Sequence, residues 1–110
     1  MNKSTDAFRV GQQAVGADGQ LAHPQLLDHS ERLKETFYKV GEHAWCLVGN
    51  GLSNQTFVEG PEGIIAIDTG ECHEEMKQAI DWLRKETDVP IVACIYTHFH
   101  YVAGTTAIVE

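Results

Sequence analysis

Positive charge is scarce in this chain. Eight Lys and Arg stand against sixteen Asp and Glu, a formal charge of -8 at neutral pH. That balance argues against nucleic acid or an anionic membrane surface as the main partner. Long apolar runs are missing too, so no membrane span is expected. The first residues, Met1-Asn2-Lys3-Ser4-Thr5-Asp6, lack the apolar stretch of a secretory leader. Cysteine is sparse and odd in number, at Cys46, Cys72 and Cys94, with Cys46 and Cys94 in strand-like segments. This implies free thiols in a reducing compartment, hence a cytoplasmic placement, rather than a disulfide framework. With 110 residues, of which 43% are hydrophobic, the chain is at most one small domain, large enough to bury a core.

What the chain does have is concentrated near its end. Ile91-Val92-Ala93-Cys94-Ile95-Tyr96 is an apolar, β-branched run that stops abruptly at Thr97-His98-Phe99-His100. The run has the length and composition of a strand buried on both faces. Residues two apart on an extended segment point the same way, so His98 and His100 are expected to present their imidazoles side by side. Two neutral imidazoles begin a zinc or iron site, which normally takes three or more protein ligands. The chain stops ten residues after His100, so further ligands are expected from outside it.

Residues 1–30 show little periodicity and are broken by Gly11, Gly16, Gly19 and Pro24. They read as a partly irregular N-terminal arm, with His23 and His29 as surface histidines. From residue 31 to 110 the texture is that of a folded domain. A hairpin is expected from Phe37-Tyr38-Lys39-Val40 and Ala44-Trp45-Cys46-Leu47-Val48 about a turn at Gly41-Glu42. A third strand follows over 55–59, then a tight turn at Gly60-Pro61-Glu62-Gly63. Ile64 to Asp68 is apolar on both faces and belongs in the interior of a sheet. His73 to about Glu86 reads as a helix, with Met76, Ala79, Ile80 and Leu83 forming one stripe. Glu74 and Glu75 open it and Arg84 and Lys85 close it, as the helix dipole favours. Strand, helix and strand make a βαβ unit with parallel pairing. Thr105 or Thr106 is placed to cap a short final helix.

Several residues carry two readings. Asp68 reads as the cap of the turn after its strand, binding backbone N–H groups. Cys72 and His73 fall near the expected site but read better as a solvated loop than as ligands. Asn54 fits turn chemistry at a strand start. Trp45 and Trp82 are expected to pack between layers.

Taken together, Ile64-Ile65-Ala66-Ile67-Asp68-Thr69-Gly70, an amphipathic helix and a buried strand running into Thr97-His98-Phe99-His100 resemble the metallo-β-lactamase superfamily. Trp45-Cys46-Leu47-Val48-Gly49 and the segment from Leu52 to Gly60 are most similar to its alkylsulfatase-type branch, as is the lead-in from His23 to Leu27. The resemblance covers roughly residues 23–110. It implies an α/β fold: the first, incomplete part of a four-layer αββα sandwich, with a mixed sheet over 31–110. It implies a metal-dependent hydrolase acting on a small-molecule ester, such as an alkyl sulfate, with His98 and His100 as metal ligands. Asp68 is then a residue that orients the metal loop.

One departure matters. The family loop reads His-x-His-x-Asp-His followed by a Gly pair, and the Asp-His pair serves a second metal. Here His100 is followed by Tyr101-Val102-Ala103-Gly104, as if two residues were missing. The resemblance therefore implies one divalent ion, zinc, rather than two. Tyr101 either reaches a substrate, as a second catalytic candidate beside Asp68, or fills the space left by the missing pair. The site is expected to be completed by a remaining domain or a protein partner. The other reading is a catalytically silent fragment or subunit that associates with such a partner.

Overall fold

The computed structural model describes residues 13–110. Met1 to Asp6, read as carrying no leader, and the break expected at Gly11 lie outside the described residues. The chain divides into two compact units, with the boundary between Leu33 and Lys34.

In the first unit, β1 (Ala14–Val15) pairs antiparallel with β2 (Leu21–Ala22). Helix α1 (Pro24–Glu31) follows. The sequence reading took Pro24 as a breaker, but here it occupies the start of a helix. That position needs no N–H, and the ring presets φ. The exposed His23 caps this helix, its Nδ1 accepting the Gln25 backbone N–H at 3.1 Å.

The second unit is a five-stranded sheet with one long helix. Strands β3 (Thr36–Val40), β4 (Ala44–Val48), β5 (Gln55–Gly60) and β6 (Gly63–Ile67) form an antiparallel meander. Helix α2 (His73–Arg84) then carries the chain to β7 (Ile91–Ile95), which pairs parallel to β6. The sheet order is β3-β4-β5-β6-β7, so β6 is interior, as its two-sided apolar sequence requires. Pro61 and Glu62 alone join β5 to β6, because Gly60 and Gly63 are paired. Gly63 adopts φ 145, and a Cβ there would sit 2.6 Å from Val92 Cγ1 and 2.8 Å from the Pro90 carbonyl. The mixed sheet is therefore tightened at the point where the parallel strand enters.

Met76, Ala79 and Leu83 of α2 are fully buried against Trp45, Leu47, Phe57, Ile64 and Ala66. Burial of each large side chain stabilises the fold by about 1.5–3 kcal/mol. Phe37 stacks on Trp82 with centroids 5.9 Å apart, and Lys85 Nζ lies 4.2 Å from the centre of the Trp82 ring. Arg84 Nη1 closes the helix end by donating to the Thr87 and Val89 carbonyls. Gln55 is also fully buried in this layer, bonded to Ser53 and Asn50.

The opposite face of the sheet is apolar and open. Tyr38, Cys46, Thr56, Ile67 and Ile95 lie in register across it, as do Val40, Ala44, Val58, Ile65 and Ala93. Here the expectation of a doubly buried strand at 91–95 is corrected. Strand β7 lies at the sheet edge, and Val92 and Ile95 are 54% and 52% exposed. An exposed apolar sheet face of this kind drives association. The isolated chain is expected to elute as oligomers by size-exclusion chromatography with light scattering. A monodisperse 12.2 kDa species would contradict this. No helix among the described residues is long and apolar enough to cross a membrane.

Candidate metal centre

Strand β6 ends in Asp68, whose backbone turns left-handed at φ 60. Aspartate tolerates this region better than most residues. Its N–H still reaches the Ile95 carbonyl at 2.8 Å, so the turn begins at the last rung of the parallel pair. The turn aims the Asp68 side chain across to the segment leaving β7. Oδ1 accepts the Thr97 backbone N–H and Oδ2 accepts the Thr97 hydroxyl, each at 2.8 Å. Asp68 is 8% exposed and grips Thr97 at two points. Asp68 thus holds the residue that precedes His98.

A second strap lies one residue further on. Thr69 N–H donates to the Tyr101 carbonyl at 2.9 Å, and the Thr69 hydroxyl donates to the same oxygen at 3.2 Å. Beyond Tyr101 the chain makes a 3-10 turn (Ala103–Thr105) and a short helix α3 (Thr106–Val109). Gly104 in that turn is buried, and a Cβ there would fall 1.8 Å from the Thr69 carbonyl oxygen and 2.6 Å from Met76 Cβ. Backbone meets backbone at this point, so the loop is docked on the end of β6 and on α2. Neither threonine caps α3 with its side chain; the Thr105 hydroxyl donates instead to the Val102 carbonyl at 2.7 Å.

Between the straps stand His98 and His100, both exposed. They lie in a turn beyond β7 rather than on an extended strand end, so strand alternation is not what brings them together. Their rings still meet edge-on with centroids 5.2 Å apart. Two imidazoles sharing one tetrahedral ion, with metal–nitrogen bonds of about 2.0–2.1 Å, place their centroids roughly 5 Å apart. The observed ring separation is of that size. The pair is not a full set: no group of three or more His, Cys, Asp or Glu among the described residues is arranged to hold a metal.

The half-buried Tyr101 ring packs edge-on against His98 at 4.4 Å, while Phe99, 78% exposed, lies 4.0 Å from the His100 ring. His73 is drawn away to Glu110, its Nε2 lying 2.7 Å from Oε2. Glu74 beside it is held below the usual carboxylate range by its own backbone N–H, by the Cys72 thiol and by His73. Asn54 is exposed. Burial pushes the Cys94 thiol up. The three cysteines are free. Thr97, Thr69 and Gly104 position the loop without standing out in the sequence by type. The signal for all three is an Asp-Thr pair after one strand facing a Thr-His pair after its parallel neighbour.

No family model matches the chain. Over 55 residues it is 43% identical to a linear primary-alkylsulfatase of Pseudomonas sp. (strain ATCC 19151), covering 48% of this chain and 10% of that protein. A second linear primary-alkylsulfatase, from Pseudomonas sp., is 39% identical over 62 residues, covering 54% and 9%. The fold matches the stereoselective inverting sec-alkylsulfatase Pisa1 from Pseudomonas sp. with a TM-score of 0.73 and 22% identity. That match covers 92% of this chain and 19% of the solved one. A double mutant of the same enzyme matches equally well. The chain thus spans about a tenth of the length of the curated relatives it matches. Its fold is that of part of the solved sec-alkylsulfatase, a mixed α/β arrangement of the metallo-β-lactamase type, with the mixed sheet and βαβ unit expected from the sequence.

Proposed function

We propose that this chain supplies part of the active site of a metal-dependent sulfate-ester hydrolase acting on alkyl sulfates. The observation that carries the reading is the paired imidazoles of His98 and His100, on a loop clamped by Asp68, in a chain whose relatives are alkylsulfatases. His98 and His100 hold a single divalent ion, zinc, as two of its ligands. A bound ion of this kind polarises an ester oxygen and lowers the pKa of an attached water. Asp68 fixes the loop through Thr97. Tyr101, with its ring against His98, faces the substrate and orients it. The remaining ligands come from the rest of the fold or from a partner protein, which also covers the open sheet face. Free thiols support a cytoplasmic location.

A second reading rests on the same exposed face and incomplete ligand set: a silent subunit whose partner carries the chemistry. Sulfate release from a linear alkyl sulfate separates the two. The chain alone is expected to give no turnover. A longer protein that completes the fold is expected to give metal-dependent turnover, and Tyr101→Phe should lower kcat there without moving Tm. Turnover by residues 1–110 alone would contradict the proposal. So would a completed protein that hydrolyses lactams and leaves sulfate esters intact. Full activity of the completed protein after His98→Ala and His100→Ala would favour the silent subunit.

A further inference from the structure

The geometry points to Thr97 as a positioning residue that sets which nitrogen of His98 is free to bind metal; we infer that it holds His98 as the Nδ1–H tautomer. This deepens the metal-site reading above and rests on it only for its consequence. The argument is a count of protons. A threonine hydroxyl has one hydrogen and can accept as well as donate. The Thr97 hydroxyl lies 2.8 Å from Asp68 Oδ2, to which it donates, and 2.8 Å from His98 Nδ1. A carboxylate only accepts, so the single hydroxyl proton goes to Asp68. The bond to His98 must then run the other way, with Nδ1–H donating to the Thr97 oxygen. Nε2 is left with its lone pair, as a metal ligand requires.

Asp68 holds Thr97 at two points, the backbone N–H at Oδ1 and the hydroxyl at Oδ2, so turning the hydroxyl away from His98 would also break its bond to the carboxylate. The left-handed turn at Asp68 aims both carboxylate oxygens at one residue. The relay Asp68–Thr97–His98 therefore reaches the ligand from the β6 end, through a residue that touches no metal itself.

The same count yields an inversion. In Asp68→Asn, the Thr97 backbone N–H keeps the amide oxygen at the Oδ1 position, which turns the amide NH2 toward the Thr97 hydroxyl. The amide then donates to Thr97, and the freed hydroxyl proton donates to Nδ1. His98 is driven to the Nε2–H tautomer, and Nε2 loses its lone pair. Thr97→Ser keeps the relay and Thr97→Val removes it.

Solid-state 15N NMR on the metal-free 110-residue chain reads this directly, whatever its oligomeric state. Spectra are recorded at about pH 8. The His98 signals are those missing from His98→Asn. The expected result is a protonated Nδ1 and bare Nε2 in the parent and in Thr97→Ser, a mixture in Thr97→Val, and the reverse pattern in Asp68→Asn. Zinc affinity should fall about 10–100-fold in Thr97→Val and recover in Thr97→Ser. An Nε2–H tautomer in the parent overturns the inference, as does a parent pattern unchanged in Thr97→Val. A correct tautomer pattern with no zinc binding would leave the relay standing and defeat the metal-site reading instead.

Discussion

Replacing Gly104 with alanine is expected to destabilise the second unit by about 1–3 kcal/mol, and replacement with valine by more. The glycine is needed for space: its missing Cβ would overlap the Thr69 carbonyl oxygen at 1.8 Å and crowd Met76 Cβ at 2.6 Å and the Cys72 carbonyl at 2.9 Å. Two of those obstacles are backbone atoms, held by the Thr69 strap and by the start of α2. Room can be made only by lifting the loop off the end of β6. Because that loop carries His98 and His100, the variant should lose histidine pairing together with stability. Gly51 provides the contrast. A Cβ there meets the Glu75 carboxylate at 2.6 Å, the end of a flexible side chain that can move aside. Thermal melts should show a clear drop for Gly104→Ala and a smaller one for Gly51→Ala. Equal melts would mean that the loop is not docked as described.

The Asp68→Ala substitution should be at least as costly. It removes two hydrogen bonds accepted by a carboxylate that is 8% exposed and leaves the Thr97 N–H without that partner. One bond to such a group contributes about 1.5–3 kcal/mol, and two to the same carboxylate add incompletely, so a combined loss of roughly 2–4 kcal/mol is expected. Alanine also fits the left-handed turn less well than aspartate does. The loss should appear as a lower denaturant midpoint at unchanged m-value. A midpoint within error of the parent would show that Asp68 merely decorates the turn.

Much of this arrangement was legible in the sequence because its signals are local. The alternation through Trp45, Leu47 and Phe57, the stripe of Met76, Ala79 and Leu83, and the breakers Gly41, Pro61 and Pro90 mark their elements without reference to anything distant. Parallel pairing of β6 with β7 followed from the intervening helix. What was not legible depends on partners far along the chain. Gln55 is polar yet fully buried, because Ser53 and Asn50 satisfy it and Asn50 in turn reaches the Glu75 carbonyl. The apolar run 91–95 gives no sign that its strand will sit at a sheet edge. Pro24 was misread because a proline that starts a helix and one that breaks it look alike in a polar stretch. At the site, the histidines stand out by type, whereas Thr97 and Thr69 are ordinary residues until Asp68 and Tyr101 are brought opposite them.

The proposed reading makes His98 and His100 two ligands of one metal site, with no third among the described residues. Equilibrium dialysis of the 110-residue chain against zinc measures it most directly, with His98→Ala/His100→Ala and His73→Ala compared alongside. The account predicts about one weakly held ion per chain, lost in the double variant and kept in His73→Ala. Two tightly held ions, or zinc binding that survives loss of both His98 and His100, would contradict it.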